Sequence, residues 1–198
     1  FPEGVEVMGV DEKKADNVGG NVKYTVDENN KATIVAYSGT DETVLTISRI
    51  DGKYPVAAIG DSVFAGNTSI EEVTIYSSVT KIGAGAFMGC TSLEKINFHG
   101  NCNITEIGDD AFYLCSSLKE FKISGSVKTI GSGAFRDCSS ISLDFSQATS
   151  LESVGSYAFA GCATASGNKF TVEIPASLTE IGYGAFYGCT GITGFWVD

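Results

Sequence analysis

The stretch KIGAGAFMGCTSLEKINF, residues 81–98, recurs in close copies from Ile59 to the C-terminus, and this repetition constrains the fold more than any other feature. Aligned on an Ile-Gly or Val-Gly pair, the copies begin at Ile59, Ile82, Ile107, Ile130, Val154 and Ile181, in steps of 23, 25, 23, 24 and 27 residues. Five places on stand Phe64, Phe87, Phe112, Phe135, Phe159 and Phe186, and three further on stand Asn67, Cys90, Cys115, Cys138, Cys162 and Cys189. A period in the twenties marks a solenoid, in which a short coil buries its apolar side only by stacking on its neighbours. One array with an N-terminal cap accounts for the chain without a second domain. Residues 1–20 form a lead-in with no sustained period, residues 21–55 a β cap, and residues 56–198 an array of six coils.

Within a coil the apolar spacing changes. Ile70-x-x-Val73-x-Ile75, Leu93-x-x-Ile96-x-Phe98 and Leu118-x-x-Phe121-x-Ile123 end in a two-residue alternation, which predicts short strands stacked into one parallel sheet. Ala86, Phe87 and Cys90 lie at i, i+1 and i+4, which predicts a single helical or 3₁₀ turn. The Gly after each Ile predicts a tight corner, through positive φ or a close neighbour. In the cap, Tyr24 and Val26, then Ala32, Ile34 and Ala36, flank Asp27-Glu28-Asn29-Asn30 and predict a β-hairpin. A third strand follows at residues 44–47. The array stops at Phe195-Trp196-Val197-Asp198, inside a strand and without a polar closing segment. Either the native chain continues, or this edge meets another molecule, which makes self-association there an expectation.

The net charge of −11 argues against a nucleic-acid partner and against anionic membranes, because phosphate binding needs clustered Lys and Arg. No run approaches the ~18 apolar residues of a membrane span. Residues 1–20 show no signal-peptide pattern, and Phe1-Pro2-Glu3 is expected to be a mature or trimmed start. Five of the six cysteines share one phase of the repeat, so they are expected as a ladder of free, buried thiols pointing the same way, a poor geometry for disulfides. Cys102 is off the ladder and is expected to be the exposed thiol.

The pattern in IGAGAFMGCTSLEKINF, IGDDAFYLCSSLKEFKISGSVKTIG and VEIPASLTEIGYGAFYGCT resembles the BspA-like leucine-rich repeat of bacterial surface proteins, many from host-associated anaerobes. The stretch TIVAYSGTDETVLTISRIDGKYPVAAIGDSVF is similar to the lead-in of such arrays, so the resemblance covers residues 24–198. Asn67 in place of the ladder Cys, and an Ile-Pro kept only at Pro175, depart from the pattern. The resemblance implies a β-rich α/β solenoid, a right-handed leucine-rich-repeat superhelix with parallel strands on the concave face, short helical or 3₁₀ turns on the convex side and an N-terminal β-hairpin cap. It also implies display at the cell surface or secretion, adhesion to host matrix or other partners, and no catalytic residues or cofactor.

The candidate chemistry agrees with a non-enzymatic protein. His99 is the single histidine, with only Cys102 and the asparagines Asn101 and Asn103 nearby in sequence, too few and too loosely placed for a Cys-His nucleophile or a metal site. Asp61, Asp109 and Asp110 head coil corners, where Asp satisfies turn or helix-start amides. Residues between the inward strand positions point outward and give a candidate ligand face, from which Tyr76, Lys95, Asn97, His99, Lys122, Asp144, Glu173 and Trp196 are selected. Tyr76, His99 and Trp196 are the side chains most like binding anchors. The expected ligand is a protein or a glycan, a host matrix protein among them. The alternative is a passive spacer of a larger surface protein, since a row of Thr, Asn, Glu and Lys is also an ordinary solvated face. A second column, Met88, Tyr113, Arg136 and Tyr187, lies one residue past each Phe, where singly exposed aromatics need no function.

Overall fold

A computed structural model describes residues 22–165, 167 and 169–197; the lead-in of residues 1–20, and Asp198, lie outside them. The chain winds through about seven turns of a β-solenoid, with two sheets running along it. The narrow sheet is nine-stranded, one of the nine being Arg49–Ile50, which pairs antiparallel with Tyr54–Ile59 off the main path. It starts with the antiparallel hairpin of Val22–Val26 and Ala32–Tyr37 and passes to Tyr54–Ile59. It then continues in parallel through the two-residue strands Lys81–Ile82, Glu106–Ile107, Thr129–Ile130, Ser153–Val154 and Glu180–Ile181. The broad sheet stacks Val44–Ile47, Glu72–Tyr76, Lys95–His99, Glu120–Lys122 and Ser142–Asp144 in parallel. Val44–Ile47 pairs in full register with Glu72–Tyr76, so the third predicted strand is the first rung of this sheet.

The expected hairpin forms around Asp27, whose carboxylate accepts the amides of Asn29 and Lys31 at 2.9 Å each. The strand alternation is also observed. Val73, Ile75, Ile96, Phe121 and Leu143 are buried, while the residues between them face out.

The expected helical or 3₁₀ turn does not form: no helix occurs among the described residues. Ala86, Met88 and Cys90 donate their amides to the carbonyls of Gly83, Gly85 and Phe87, three residues back. The alternate amides of Gly85, Phe87 and Gly89 donate instead to Asp109, Ala111 and Tyr113 of the next coil, at 2.7–2.8 Å. A helix needs consecutive local bonds and right-handed φ throughout. Here every second bond belongs to the stack, and Gly85 (φ 59°) and Gly89 (φ 71°) are left-handed. The apolar spacing is that of a helical turn, but the backbone is a chain of tight turns sewn to the neighbouring coil.

The Gly after each Ile answers to crowding rather than to φ. A Cβ on Gly131 would lie 2.5 Å from the Asp109 amide nitrogen, and one on Gly155 2.4 Å from that of Ser132. Two side-chain ladders fill the interior. Phe64, Phe87, Phe112, Phe135, Phe159 and Phe186 stack face to face with centroids 5.0–5.5 Å apart and planes within 13°. Tyr37 of the hairpin covers the first ring at 5.1 Å. Each ladder thiol donates to the carbonyl of the preceding coil's Phe, as Cys115 does to Phe87 at 3.1 Å and Cys138 to Phe112 at 3.0 Å. Asn67 does the equivalent work where the array meets the cap. Its amide donates to Gly39, and its oxygen accepts the amides of Ser69 and Ile70 at 2.9 and 3.0 Å.

All six cysteines are free, four of them buried, with Cys102 and Cys189 partly exposed. Burial pushes the Cys90 thiol up to about 12 and those of Cys115, Cys138 and Cys162 well above their ordinary value. A hydrogen bond from Cys162 holds Cys189 lower. A disulfide-exchange reagent at mildly alkaline pH is therefore expected to label Cys102 and Cys189 in the folded protein, the other four reacting only as fast as the chain unfolds. Fast labelling of all six would show that the ladder is open. Phe112→Ala removes a ring packed between two others and is expected to cost about 3–5 kcal/mol. At ~2–4 °C per kcal/mol, a thermal melt then falls by roughly 6–20 °C; a shift of a degree or two would contradict the ladder's role.

Candidate functional site

Parallel register turns the outward residues of the broad sheet into columns. The first column holds Glu72, Lys95, Glu120 and Ser142. The second holds Thr46, Thr74 and Asn97, and further on Lys122 opposite Asp144. At the strand ends Tyr76 pairs with His99, their rings stacked 4.2 Å apart at 27°. Charges of opposite sign follow one another along a column, and polar neighbours satisfy one another. Asn97 donates to Glu72 across the rung, and Lys122 stands opposite Asp144.

The eight selected residues fall into two groups. Tyr76, Lys95, Asn97, His99, Lys122 and Asp144 share the continuous sheet. Glu173 and Trp196 lie opposite each other on a separate parallel pair, Phe170–Ile174 with Ile192–Val197. The sheet breaks between Ser142–Asp144 and Phe170–Ile174 because one coil is a residue short and is followed by the insertion at residues 163–169. What joins the two sides there includes a long contact from Ser142 Oγ to the Lys169 carbonyl at 3.4 Å. Trp196, with 68% of its surface exposed, is therefore not a partner of the Tyr76–His99 stack.

The sequence reading overlooked what lies beside Tyr76. A recess of about 300 Å³ opens there, lined by Ser48, Arg49, Pro55, Tyr76, Ser77 and Ser78. Arg49 and Pro55 reach it as an antiparallel pair from the cap. Carrying the column of Tyr76 one rung back along the register Ile47–Ile75 leads to Ser48, a signal present in the sequence once Val44–Ile47 is read as a rung. The recess puts a guanidinium-bearing residue next to the stacked aromatic pair, a combination typical of recognition surfaces.

Elsewhere the polar candidates have structural duties. Asp61 accepts the Ala84 amide at 2.8 Å and Asp109 the Ser132 amide at 2.7 Å, each satisfying the coil that follows rather than a helix start. Among the described residues no three His, Cys, Asp or Glu side chains are grouped as metal ligands, and no helix is long and apolar enough to cross a membrane. On the turn edge, Arg136 sits over the Tyr113 ring at 5.5 Å, and Met88 and Tyr187 are exposed.

The repeat geometry agrees with comparison to known families: the BspA type leucine rich repeat region matches residues 43–166 and 164–196, in six copies. The chain belongs to this family. Among solved structures, the BspA-type chain is similar to a leucine rich cell surface protein of Faecalibacterium prausnitzii, at 28% identity and a TM-score of 0.63. That match covers 96% of this chain and 56% of the other. It is similar to the leucine rich repeat protein of T. pallidum, at 27% identity and a TM-score of 0.64, covering 86% and 87%. It is also similar to the pneumococcal vaccine antigen PcpA, at 26% identity and a TM-score of 0.74, covering 91% and 49%. The BspA-type chain thus spans about half the length of two of these three relatives. No curated protein sequence matches it, and no catalytic family is indicated.

Asp144 offers a pH-dependent check on the columns. Hydrogen bonds from Ser146, whose amide lies 2.9 Å from Oδ1, hold its carboxyl below the ordinary 3.8, with Lys122 adding to the effect. A depressed folded-state value contributes stability above the ordinary value, and that contribution is lost as pH falls through the folded one. The melting temperature of Asp144→Asn is expected to lie below that of the wild type at neutral pH and to converge with it below pH ~4. A gap that persists into strong acid would mean that the carboxylate is not the cause.

Proposed function

We infer that the chain is a non-enzymatic recognition module, displayed at a cell surface or secreted, that binds a protein or glycan partner through the broad-sheet face. The observation that carries this reading is the Tyr76–His99 stack, an aromatic pair standing at the rim of the recess that holds Arg49. Aromatic and Arg side chains dominate binding energy at interfaces, and repeat arrays present extended surfaces to extended partners. Membership of a bacterial surface-repeat family supports display outside the cell.

One observation favours a passive spacer instead. Asn97 is satisfied by Glu72, and Lys122 faces Asp144, so this part of the face needs no partner. The two readings differ over the aromatic pair, which no such pairing requires. Binding to a panel of host matrix proteins, mucins and glycans is measured for the wild type, for Tyr76→Ala/His99→Ala and for Trp196→Ala, at matched melting temperatures. The recognition reading expects saturable binding that the double variant loses and the Trp196 variant keeps. Silence across the panel, or binding indifferent to the double variant, would favour the spacer.

A further inference from the structure

Each coil places a left-handed residue three positions after its Ile or Val: Ser62, Gly85, Asp110, Gly133, Tyr157 and Gly184. Small or short polar residues suit that conformation; a bulky Tyr does not, and at φ 56° Tyr157 is strained. Its ring is nonetheless held in place. It lies across Gly184, where an added Cβ would come within 2.7 Å of the ring, and meets Tyr183 edge-on at 5.5 Å. The Arg136 guanidinium sits 5.9 Å from its centroid.

A second departure adjoins the first. The residue after the core Phe is Met88, Tyr113, Arg136 or Tyr187 in four coils and Ala65 in the first, but Ala160 here, between Arg136 and Tyr187. The missing bulk leaves a recess of about 450 Å³, within the ~300–1,000 Å³ of small-molecule sites. Ala160, Gly161 and Gly188 floor it, and Tyr157 and Tyr187 wall it. Its polar side is the Arg136–Asp137 ion pair at 3.5 Å. A Cβ on Gly161 would meet the Asp137 carboxylate at 2.4 Å, so the acid lies over the floor.

This chemistry selects a class of ligand. An anion would meet Asp137 and a cation Arg136, and an apolar group would leave the ion pair without hydrogen-bond partners as it lost water. A peptide strand finds no ladder, because the amides of Asp137 and Gly161 are already given to Ala160 and Tyr187 of the next coil at 2.8 Å. A neutral, polyhydroxylated ring satisfies every wall. Its C–H face packs on the electron-rich face of a tyrosine, while its hydroxyls donate to Asp137 and accept from Arg136. We propose that this recess on the turn edge is a binding site for a neutral sugar ring, one unit of an oligosaccharide, separate from the broad-sheet face.

The test is saturation-transfer NMR of the chain with maltotriose, cellotriose, mannotriose and lactose at millimolar concentration. At least one is expected to give a saturable signal concentrated on a single ring. Tyr157→Gly should abolish that signal while melting no lower than the wild type, because glycine relieves the positive φ. Asp137→Asn, at a left-handed position that Asn adopts readily, should weaken it, and Tyr76→Ala/His99→Ala should leave it unchanged. No saturable signal from any of the four, a signal that survives both Tyr157→Gly and Asp137→Asn, or one lost only in the broad-sheet variant overturns the proposal.

Discussion

Backbone hydrogen bonding between coils sets the scale of the whole molecule. Once Gly85, Phe87 and Gly89 donate to the next coil, equivalent residues stand one rung apart, near the ~4.8 Å of any sheet, and every column inherits that spacing. A Phe column at this distance stacks almost face to face. A Cys column fits because the thiol is small and its S–H reaches the preceding coil's Phe carbonyl, leaving no buried side-chain polar atom unpaired among the described residues. A Gly column is obligatory where one backbone crosses another closer than a Cβ allows. Outside, the same spacing would set like charges against each other, and the sequence alternates them: Glu72, Lys95 and Glu120 on the broad sheet, Lys81 facing Glu106 at 2.8 Å on the narrow one. Such exposed pairs add little stability. Their role is to avoid repulsion along the stack.

The ends and the break show the same constraint from the other side. The first coil lacks a predecessor of its own kind, so Asn67 replaces the thiol and uses three hydrogen bonds where Cys uses one, and Tyr37 supplies the ring that a preceding Phe would have provided. Where a coil is a residue short and the next carries an insertion, the broad sheet parts, yet the narrow sheet runs on through Ser153–Val154 and Glu180–Ile181. Continuity of the core depends on the Phe and Ile columns, which the length changes do not touch.

Much of this was legible in the sequence for a physical reason: a column needs the same residue type every turn, so Ile, Phe, Cys and Gly announce their phase. The turn segment was misread because apolar spacing reports only which side chains go inward. Ala86, Phe87 and Cys90 satisfy both a helical turn and a ladder of tight turns, and it is the destination of the amides that separates them. The candidate face was half legible. Its columns follow from alternation, but the separation of Trp196 from Tyr76 depends on a register break, and the Arg49 recess on a cap strand whose pairing no local pattern specifies.

In a solenoid the stack explains whatever repeats, and so the departures carry the information about function. Tyr76 over His99 is one, since the next residues in that column, Ser124 and Ser146, are small and polar. Tyr157 with Ala160 is another, and the more telling one. A side chain that breaks an alternation costs the fold nothing, whereas a tyrosine at φ 56° opposes it, where glycine in the same position of three other coils does not. Strain of this kind persists only where its surroundings hold it, and Gly184, Tyr183 and Arg136 all do. The exchange of bulk between neighbouring positions, a large residue where the other coils carry small ones and a small one where four of the six carry a large one, opens a recess without lengthening the coil or disturbing the Phe stack beneath it.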